Sequence, residues 1–356
     1  MIEVYSNGKV FSNWLSASVT RSLDRIAGAF SLSVCPTGGL DSFGIFAGDS
    51  VEIRIDGKAC LSGFVDKVSG SFSDGSHSVT VSGSEKTSDL ADCSLESPLE
   101  WKDKDIAQIA GEICGAFGIP FSNRNGVPVG EKFKKFSVEP GGKAVDAISK
   151  LCKSRGILVC SDGLGNVSLL RPDSCPRGDS LKQGENLVSA SADYSVSDRY
   201  SEYVVFGSGK ASKKVRATAV DAQIGRNRKL CIVDSNSTEK DKVQARADFE
   251  KRSRIAKSLS VKCELAGWKC ASGIWSPGVV CSVYAPAVGI SDPVDLLVNS
   301  VSLTASESGT KTSLSLVYPG VYEPQPESKK AKAPKPGKAD PWASIRKAVK
   351  GKRCAT

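Results

Sequence analysis

Short runs of alternating apolar and polar residues, separated by glycine-containing turns, occupy the first 97 residues of the chain. Two-residue hairpin signals, Asn7-Gly8 and Asp56-Gly57, each lie between two such runs. An alternating run of about four to eight residues fits a half-buried strand, whereas a helix needs a period of about 3.6. We therefore predict an antiparallel, barrel-like β domain over residues 1–97.

The period changes over residues 98–180. Apolar residues spaced three or four positions apart predict two helices, which end near Gly118 and Gly156. The runs Ile157–Cys160 and Val167–Leu170 then predict a hairpin. This part of the chain is expected to form a small α/β domain.

Residues 181–322 return to strand patterns and predict a second barrel-like β domain, some of whose strands can belong to the first. A long, charge-rich helix interrupts them from about Thr238 to Lys257, with Ser237 as its expected N-cap. Its apolar stripe is thin, so the helix is expected on a surface or against a partner. The expected fold class is mainly β with an α/β insertion: two antiparallel barrel-like domains flanking a small α/β domain.

The net charge of +9 is concentrated at the C-terminus. Residues 327–356 hold 10 Lys/Arg and 2 Asp/Glu, whereas residues 1–326 hold 38 and 37. A nearly neutral body argues against a phosphate-binding face over the whole surface. The Pro/Lys-rich tail, residues 323–356, is expected to be either a solvated extension or a linker carrying a short helix, with Trp342 and Ile345 on its apolar face.

Motifs that carry chemistry are scarce. The chain has one histidine, His77, which excludes multi-histidine metal sites and argues against triads that need a histidine base. The stretch from Gly207 to Ala211 resembles a phosphate-binding loop but lacks its first glycine and its hydroxyl. The 39 acidic residues offer many carboxylate pairs, and no local feature selects one. We expect no catalytic residue, no cofactor and no metal.

The 12 cysteines form no Cys-x-x-Cys motif. Several occupy positions suited to a small apolar residue, such as Cys114 and Cys152 on helix faces. The N-terminus lacks a basic segment followed by an apolar one, and no apolar run approaches the length of about 18 residues that a membrane span needs. These features predict reduced, buried thiols in a protein made in the cytoplasm.

Several stretches together resemble one family. Leu15–Leu23 followed by Ala27–Leu32 resembles the start of the Mu-like phage tail protein P family, the baseplate hub proteins. Further similar stretches follow in the same order: Gly63–Asp66, Val79–Cys93, Gln183–Leu187, Asp198–Tyr203, Gln244–Ala247 and Gly267–Trp268. The resemblance covers about residues 1–320 and does not extend to the basic tail.

The resemblance implies a structural hub of a contractile tail rather than an enzyme. It implies a homotrimeric ring in which two barrel-like domains per subunit give a pseudo-sixfold face. Such a ring joins the sixfold tail tube to the threefold central spike and leaves a channel for DNA ejection. The implied partners are the spike protein, tail tube or distal tail proteins and baseplate wedge proteins, with DNA only in transit and no membrane insertion. The implied location is the virion tail baseplate, after assembly in the host cytoplasm.

Two other functions remain open at this point. The basic tail suits an accessory protein that contacts DNA or a membrane, and a tail-associated cell-wall hydrolase is also compatible with the composition. Titration with DNA at two salt concentrations separates the first from a hub, because phosphate contacts weaken steeply with salt. An assay on purified peptidoglycan separates the second.

Overall fold

The computed structural model describes residues 2–35, 43–74, 76–123, 126–208, 215–234, 237 and 239–326. These residues form a mainly β structure with four α-helices. The helices are α1 (Ser88–Asp92), α2 (Ile106–Ala116), α3 (Ala144–Lys153) and α4 (Lys240–Ala256).

The strands of the N-terminal part are β1 (Ile2–Ser6), β2 (Lys9–Phe11), β3 (Ser16–Ser22), β4 (Ala29–Val34), β5 (Ser50–Ile55), β6 (Lys58–Ser73), β7 (Ser76–Glu85), β8 (Glu100–Trp101), β9 (Phe121–Ser122), β10 (Phe136–Ser137), β11 (Leu158–Ser161) and β12 (Val167–Leu170). The strands of the C-terminal part are β13 (Leu181–Lys182), β14 (Leu187–Tyr194), β15 (Glu202–Gly207), β16 (Arg216–Val220), β17 (Lys229–Asp234), β18 (Leu259–Ala266), β19 (Lys269–Cys270), β20 (Gly273–Ile274), β21 (Val280–Ala285), β22 (Ile290–Ser306) and β23 (Gly309–Val317).

One sheet of 13 strands contains both predicted β domains. Its order is β14-β18-β23-β22-β3-β4-β7-β6-β5-β1-β2, with β21 on β22 and β13 on β21. The two halves meet where β3 pairs antiparallel with β22, for example Val19 opposite Leu303. The mainly β class is confirmed. Among the described strands neither half closes into a barrel, because β3 pairs with β22 in the other half instead of with β2 in its own.

A shared hydrophobic core connects the two halves. Buried side chains from the first half, such as Leu32 and Leu61, belong to the same cluster as Leu296 and Leu316 from the second. Strands β5 and β18, which also contribute to this cluster, alternate buried with more exposed positions, as expected for an antiparallel sheet with one face toward a core. The two halves therefore form one packed body.

The α/β unit between the halves has its own core. Helices α2 and α3 pack against each other and against the small sheet β11-β12-β9, with Ile109, Ile113 and Ile148 fully buried. Asp105 caps α2: its carboxylate accepts a hydrogen bond from the Gln108 backbone N–H at 2.9 Å, which completes a capping box. The two predicted helices and the predicted hairpin β11–β12 are confirmed.

A second small unit is inserted between β14 and β18, which pair antiparallel up to Tyr194 and Leu259. We call residues 195–258 the insertion unit. It contains the three-stranded sheet β16-β15-β17, in which β15 is antiparallel to β16 and parallel to β17. Helix α4 packs on one face of this sheet and buries Val243 and Ala247 against Tyr203.

The predicted long helix is present within two residues of its predicted bounds, but its predicted cap is wrong. Helix α4 begins at Lys240 with Glu239 in the cap position and no side-chain cap bond. The hydroxyl of Ser237, the predicted cap, instead donates to Asp234 Oδ2 at 2.7 Å. Ser237 lies two residues before the observed cap position, so its hydroxyl does not cap the helix. Thr238 lies outside the described residues.

Candidate assembly surfaces

In the described part of the chain, reactive and metal-binding side chains do not cluster in one place. Within its described ranges, no three His, Cys, Asp or Glu side chains lie close enough to hold a metal ion. His77 lies on β7, opposite Phe72 on β6. The absence of catalytic, cofactor and metal residues stays a prediction, and the structural features that remain are joints between units and exposed surfaces.

Four tryptophan side chains of the described residues serve packing. Trp101, Trp268 and Trp275 are buried, and Trp14 packs edge-on against Phe43. The indole N–H of Trp268 donates to the Thr304 carbonyl at 3.0 Å, so its polar atom is satisfied inside the core. These three buried indole rings are therefore not accessible for stacking against nucleic-acid bases. Trp342 and Ile345 lie outside the described residues.

Two of the predicted core thiols are deeply buried. Cys114 on α2 and Cys152 on α3 are 0% and 1% exposed and belong to the core of the α/β unit. Burial raises the pKa of both thiols to about 12, because an apolar surrounding disfavours the thiolate. Both therefore stay protonated and unreactive at neutral pH.

A buried carboxylate joins the first sheet half to the α/β unit. Glu85, at the end of β7, is fully buried and accepts a hydrogen bond from the Gly28 backbone N–H at 2.9 Å. Its other oxygen accepts from the hydroxyl of Ser161, at the end of β11. Arg21 on β3 donates to the Ser161 carbonyl at 2.9 Å. The hydrogen bonds of the Glu85 carboxylate and the Arg21 guanidinium thus hold the first sheet half against the α/β unit.

A second joint involves the end of the described chain. The Tyr322 hydroxyl lies 2.9 Å from Asp24 Oδ1 and 2.6 Å from Asn299 Oδ1. Burial and the nearby Asp24 carboxylate raise the pKa of this phenol. Glu323 forms an ion pair with Arg252 on α4 at 3.2 Å. These contacts connect the insertion unit to the seam between the two sheet halves.

Two cavities lie at these joints. One of about 460 Å³ is lined by Arg21, Lys58 and several serines, where the first half, the α/β unit and the β19–β20 hairpin meet. The other, of about 370 Å³, lies beside Tyr322 and Phe249. Both cavities are formed where units of the chain meet.

A two-stranded ribbon projects from the first sheet half. The outer parts of β6 and β7, residues 71–73 and 76–78, pair with each other beyond the point where β4 and β5 end. Phe72 continues the core-facing side of β6 and is 89% exposed, the highest among the exposed large apolar side chains of the described chain. A ribbon of this kind suits contact with another protein.

The insertion unit presents a second exposed apolar surface. The side of its sheet opposite α4, which we call the outer face, carries Val204 and Phe206 on β15, Val220 on β16, and Cys231 and Val233 on β17. Only its edge strands are exposed: Val220 and Val233 are 61% and 67% exposed and Cys231 is exposed, whereas Val204 on the central strand is 3% exposed. Its rim is charged: Glu202 pairs with Lys229 at 2.6 Å and with Arg216 at 3.5 Å.

The sequence analysis missed both surfaces. Strand patterns were predicted over residues 181–322, but such a pattern does not say which of the two faces of a strand a helix covers. The signal that was present is that Cys231 and Val233 alternate with Leu230 and Ile232, so that both faces of β17 carry apolar side chains. The described helices include none with the length and apolar character needed to cross a membrane.

The architecture defines a class of phage tail proteins. The 43 kDa tail protein of prophage MuSo2 from Shewanella oneidensis is similar with a TM-score of 0.80 and 27% identity, over 90% of this chain and 99% of that one. The tail protein from Neisseria meningitidis MC58 has a similar fold, with a TM-score of 0.73 and 19% identity over 91% of this chain and 98% of that one.

Sequence comparison narrows the class to one family. The baseplate hub protein gp44 of Escherichia phage Mu is 31% identical over 332 residues, which cover 88% of this chain and 87% of that protein. Family models match residues 1–85 (Mu phage baseplate assembly protein GpP-like, N-terminal), 87–171 (baseplate hub protein gp44-like, second domain) and 238–325 (Mu phage baseplate assembly protein GpP, fourth domain). The chain belongs to the Mu-like baseplate hub family, which confirms the resemblance seen in the sequence.

Proposed function

We propose that the protein is the hub of a contractile tail baseplate, in which three copies form a ring between the sixfold tail tube and the threefold central spike. The observation that carries the proposal is the 31% identity to the Mu hub over 88% of the chain. A ring of this kind leaves an axial channel through which DNA passes during ejection. The protein acts as a structural component and not as an enzyme.

The arrangement of the sheet supports a ring with two kinds of symmetry. Each chain contributes two antiparallel halves, one of seven strands from β3 to β2 and one of six strands from β13 to β23. Three copies then present six similar β halves, a geometry that matches a sixfold tube on one side and a threefold spike on the other. We propose the domains 1–97, 98–180 and 181–322, followed by the tail, residues 323–356.

The proposed partners follow from this position in the tail. They are two further copies of the chain, the central spike protein, tail tube or distal tail proteins and baseplate wedge proteins. DNA contacts the ring only in transit, and the protein resides in the virion baseplate after assembly in the host cytoplasm. A channel that passes DNA is expected to lack strong cationic sites, since tight phosphate contacts slow passage.

The deciding experiment is a mass determination by light scattering, alone and with the purified spike protein. We expect a mass of three chains, either alone or on addition of spike. A monomer under both conditions at micromolar concentration contradicts the proposal. DNA binding that weakens steeply with salt supports the accessory-protein alternative, and cleavage of purified peptidoglycan supports the hydrolase alternative.

A further inference from the structure

The insertion unit has a hydrophobic core of its own. Tyr203, Val205 and Val243 belong to this core, and among the described residues the two larger core clusters contain no side chain from the unit. The strands of its sheet make extended contacts only with one another and with α4, as far as the described elements are concerned. A unit with a separate core can keep its fold while its position relative to the body changes.

The chain enters and leaves the insertion unit at neighbouring points. Strands β14 and β18 pair up to Tyr194 opposite Leu259. The Ser195 backbone N–H then donates to the Ser258 carbonyl oxygen at 2.8 Å, which joins the two strand ends at the base of the unit. Because both connections leave the sheet side by side, they form a single hinge.

A segment that follows the last strand of the sheet holds the insertion unit against the body. We call residues 318–324 the strap, which contains the 3-10 turn Pro319–Tyr322. The hydrogen bonds of the Tyr322 hydroxyl attach the strap to the seam between the two sheet halves. Pro324 packs against the α/β unit, since a Cβ on Gly156 would lie 2.5 Å from its ring. The strap is therefore fixed on the side of the body.

The other side of the strap contacts helix α4. Of the described elements outside the insertion unit, only the 3-10 turn of the strap packs on α4 over several residues. A Cβ on Gly320 would lie 3.4 Å from the Cβ of Ala256, so the strap backbone passes directly over the last turn of the helix. Glu323 adds its ion pair with Arg252 at 3.2 Å. The position of the insertion unit thus depends on a narrow contact.

The space beside this contact is not filled. The cavity of about 370 Å³ lies between Phe249 and Ser253 on α4 and Cys152 and Leu158 in the α/β unit, and Val321 of the strap also lines it. Protein interiors normally contain few voids larger than a water molecule. Helix α4 therefore loses little packing when it moves away from the α/β unit.

We propose that the strap is a latch. In the closed state, seen in the structure, it holds α4 against the body. When the strap separates from α4, the insertion unit turns as a folded body about the paired ends of β14 and β18. The latch acts within one chain and does not depend on ring formation. The chain leaves the strap as the Pro/Lys-rich tail, so the tail is attached to the body at the latch itself.

The test locks the latch in one variant of the full-length protein and wedges it open in another. The double variant Gly320→Cys with Ala256→Cys places two Cβ atoms 3.4 Å apart, close to the separation of about 3.5–4.5 Å found in disulfides. Oxidation is expected to join the strap to α4. Gly320→Leu adds further carbon atoms where a Cβ already touches Ala256, so it separates the strap from the helix. Gly225→Leu is the matched control, because Gly225 is an exposed residue of the insertion unit where a Cβ meets open space.

Two native thiols report the state of the latch. Cys152 lines the cavity and is 1% exposed, whereas Cys114 is 0% exposed in the same core and lines neither cavity at the joints. Opening of the latch exposes Cys152 alone, whereas unfolding of the α/β unit exposes both. Mass spectrometry of the two cysteine peptides measures their rates of reaction with a maleimide. Relative to the wild type, we expect Cys152 to react about tenfold faster in Gly320→Leu and about tenfold more slowly in the oxidised lock, because labelling follows the population of the open form.

The rate for Cys114 and for the control Gly225→Leu is expected to match the wild type, with circular dichroism to verify that each variant is folded. Equal rates for Cys152 in the wild type, the lock and Gly320→Leu overturn the latch. Equal acceleration of Cys152 and Cys114 overturns it too, because the α/β unit is then unfolding, and so does acceleration of Cys152 by Gly225→Leu.

The lock is also decisive by itself if Gly320→Leu does not fold. We expect reduction of its disulfide to return the Cys152 rate to that of the wild type. An unchanged rate on reduction overturns the latch, as does failure of the two introduced cysteines to join in the folded protein. A chain that stays monomeric with the spike protein contradicts the proposed hub and leaves the latch unaffected.

Discussion

The guanidinium of Arg199 holds the carboxylate of Asp221 inside the insertion unit. Arg199 Nε and Nη2 donate to Asp221 Oδ2 at 3.0 and 2.7 Å, and the two side chains are only 9% and 3% exposed. Nη2 also donates to Gln223 Oε1 at 2.6 Å. The pair connects the segment before β15 to the end of β16, so the small unit has an ionic contact in addition to its few apolar ones.

Removal of one member of this pair is expected to be costly. Asp221→Ala leaves a buried guanidinium without its counter-charge, which lowers the free energy of unfolding by about 3–5 kcal/mol. Asp295→Ala is the control, because its ion pair with Arg177 at 2.7 Å is solvent-exposed and contributes little to stability. Urea denaturation measures both variants. Losses of equal size contradict the assignment of Arg199–Asp221 as a buried structural pair.

The joint at Glu85 makes a second prediction. Glu85→Ala leaves the Gly28 N–H and the Ser161 hydroxyl without their acceptor, at a cost of about 1–3 kcal/mol for each buried group. Glu85→Gln retains one acceptor oxygen and is expected to lose less. Hydrogen exchange at the Gly28 amide, followed by mass spectrometry, is expected to accelerate in the alanine variant. Unchanged exchange there excludes a role of Glu85 in the joint.

Two glycines are predicted to respond to alanine with opposite signs. A Cβ at Gly83 collides with the Phe64 carbonyl oxygen and lies 2.5 Å from the Phe30 ring, so Gly83→Ala is expected to destabilise the protein by more than about 1–3 kcal/mol. Gly115 lies in helix α2, where a Cβ meets open space. Gly115→Ala is therefore expected to stabilise by about 0.5–1 kcal/mol. Thermal unfolding of the two variants measures both signs.

The buried thiols predict a loss of stability at alkaline pH. Unfolding releases Cys152 from a folded pKa of about 12 to its ordinary value of 9.0. A group whose pKa is raised by folding contributes stability that is complete below pH 9 and lost as the pH rises toward 12. At about pH 10.5 each such thiol removes about 2 kcal/mol from the free energy of unfolding.

The variant Cys152→Ala measures this contribution. We expect its difference in unfolding free energy from the wild type to shrink between about pH 8 and pH 10.5, because the variant has no thiol to ionise. Cys93→Ala, at an exposed position, is the control. Urea denaturation at the two pH values is the measurement, and a difference for Cys152→Ala that does not change with pH contradicts the prediction.

The C-terminal tail is predicted to be dispensable for the fold. A chain ending at Pro326 retains the pair Arg252–Glu323, so we expect wild-type association and melting temperature. If the tail anchors the protein to another tail component, the deletion, or Trp342→Ala with Ile345→Ala, weakens incorporation into tails. If both variants assemble normal phage tails that remain infectious, the C-terminal segment is instead a solvated extension.

Local patterns predicted local structure well. Helices α2 and α3 follow from apolar spacing, and the hairpins β1–β2 and β5–β6 follow from the turns Asn7-Gly8 and Asp56-Gly57. All of these features depend on residues that are close together in the sequence. The failed cap at Ser237 shows the limit even there, because the helix begins at Lys240, three residues further along the chain.

The sequence patterns did not predict which strands pair when they are far apart in the chain. Thr20 and Ser302 are 282 positions apart, yet their hydroxyls lie 3.2 Å from each other across the seam between the two halves. The spacing of apolar residues along the chain does not show which distant strands pair with each other. For the same reason it did not predict the parallel pairing of β15 with β17. The charge-rich pattern of α4 likewise does not determine which face of the β16-β15-β17 sheet the helix covers.

The pairing of β3 with β22 also delays completion of the sheet during translation. When β3 leaves the ribosome, the strand that will cover its outer edge lies 282 residues further along the chain. At about 5–20 residues per second, translation reaches that strand only after roughly 15–60 s. During this interval the N-terminal half presents an unpaired strand edge, the kind of edge that recruits other chains into aggregates. The N-terminal half of the nascent chain is therefore exposed to this risk until β22 has been synthesised.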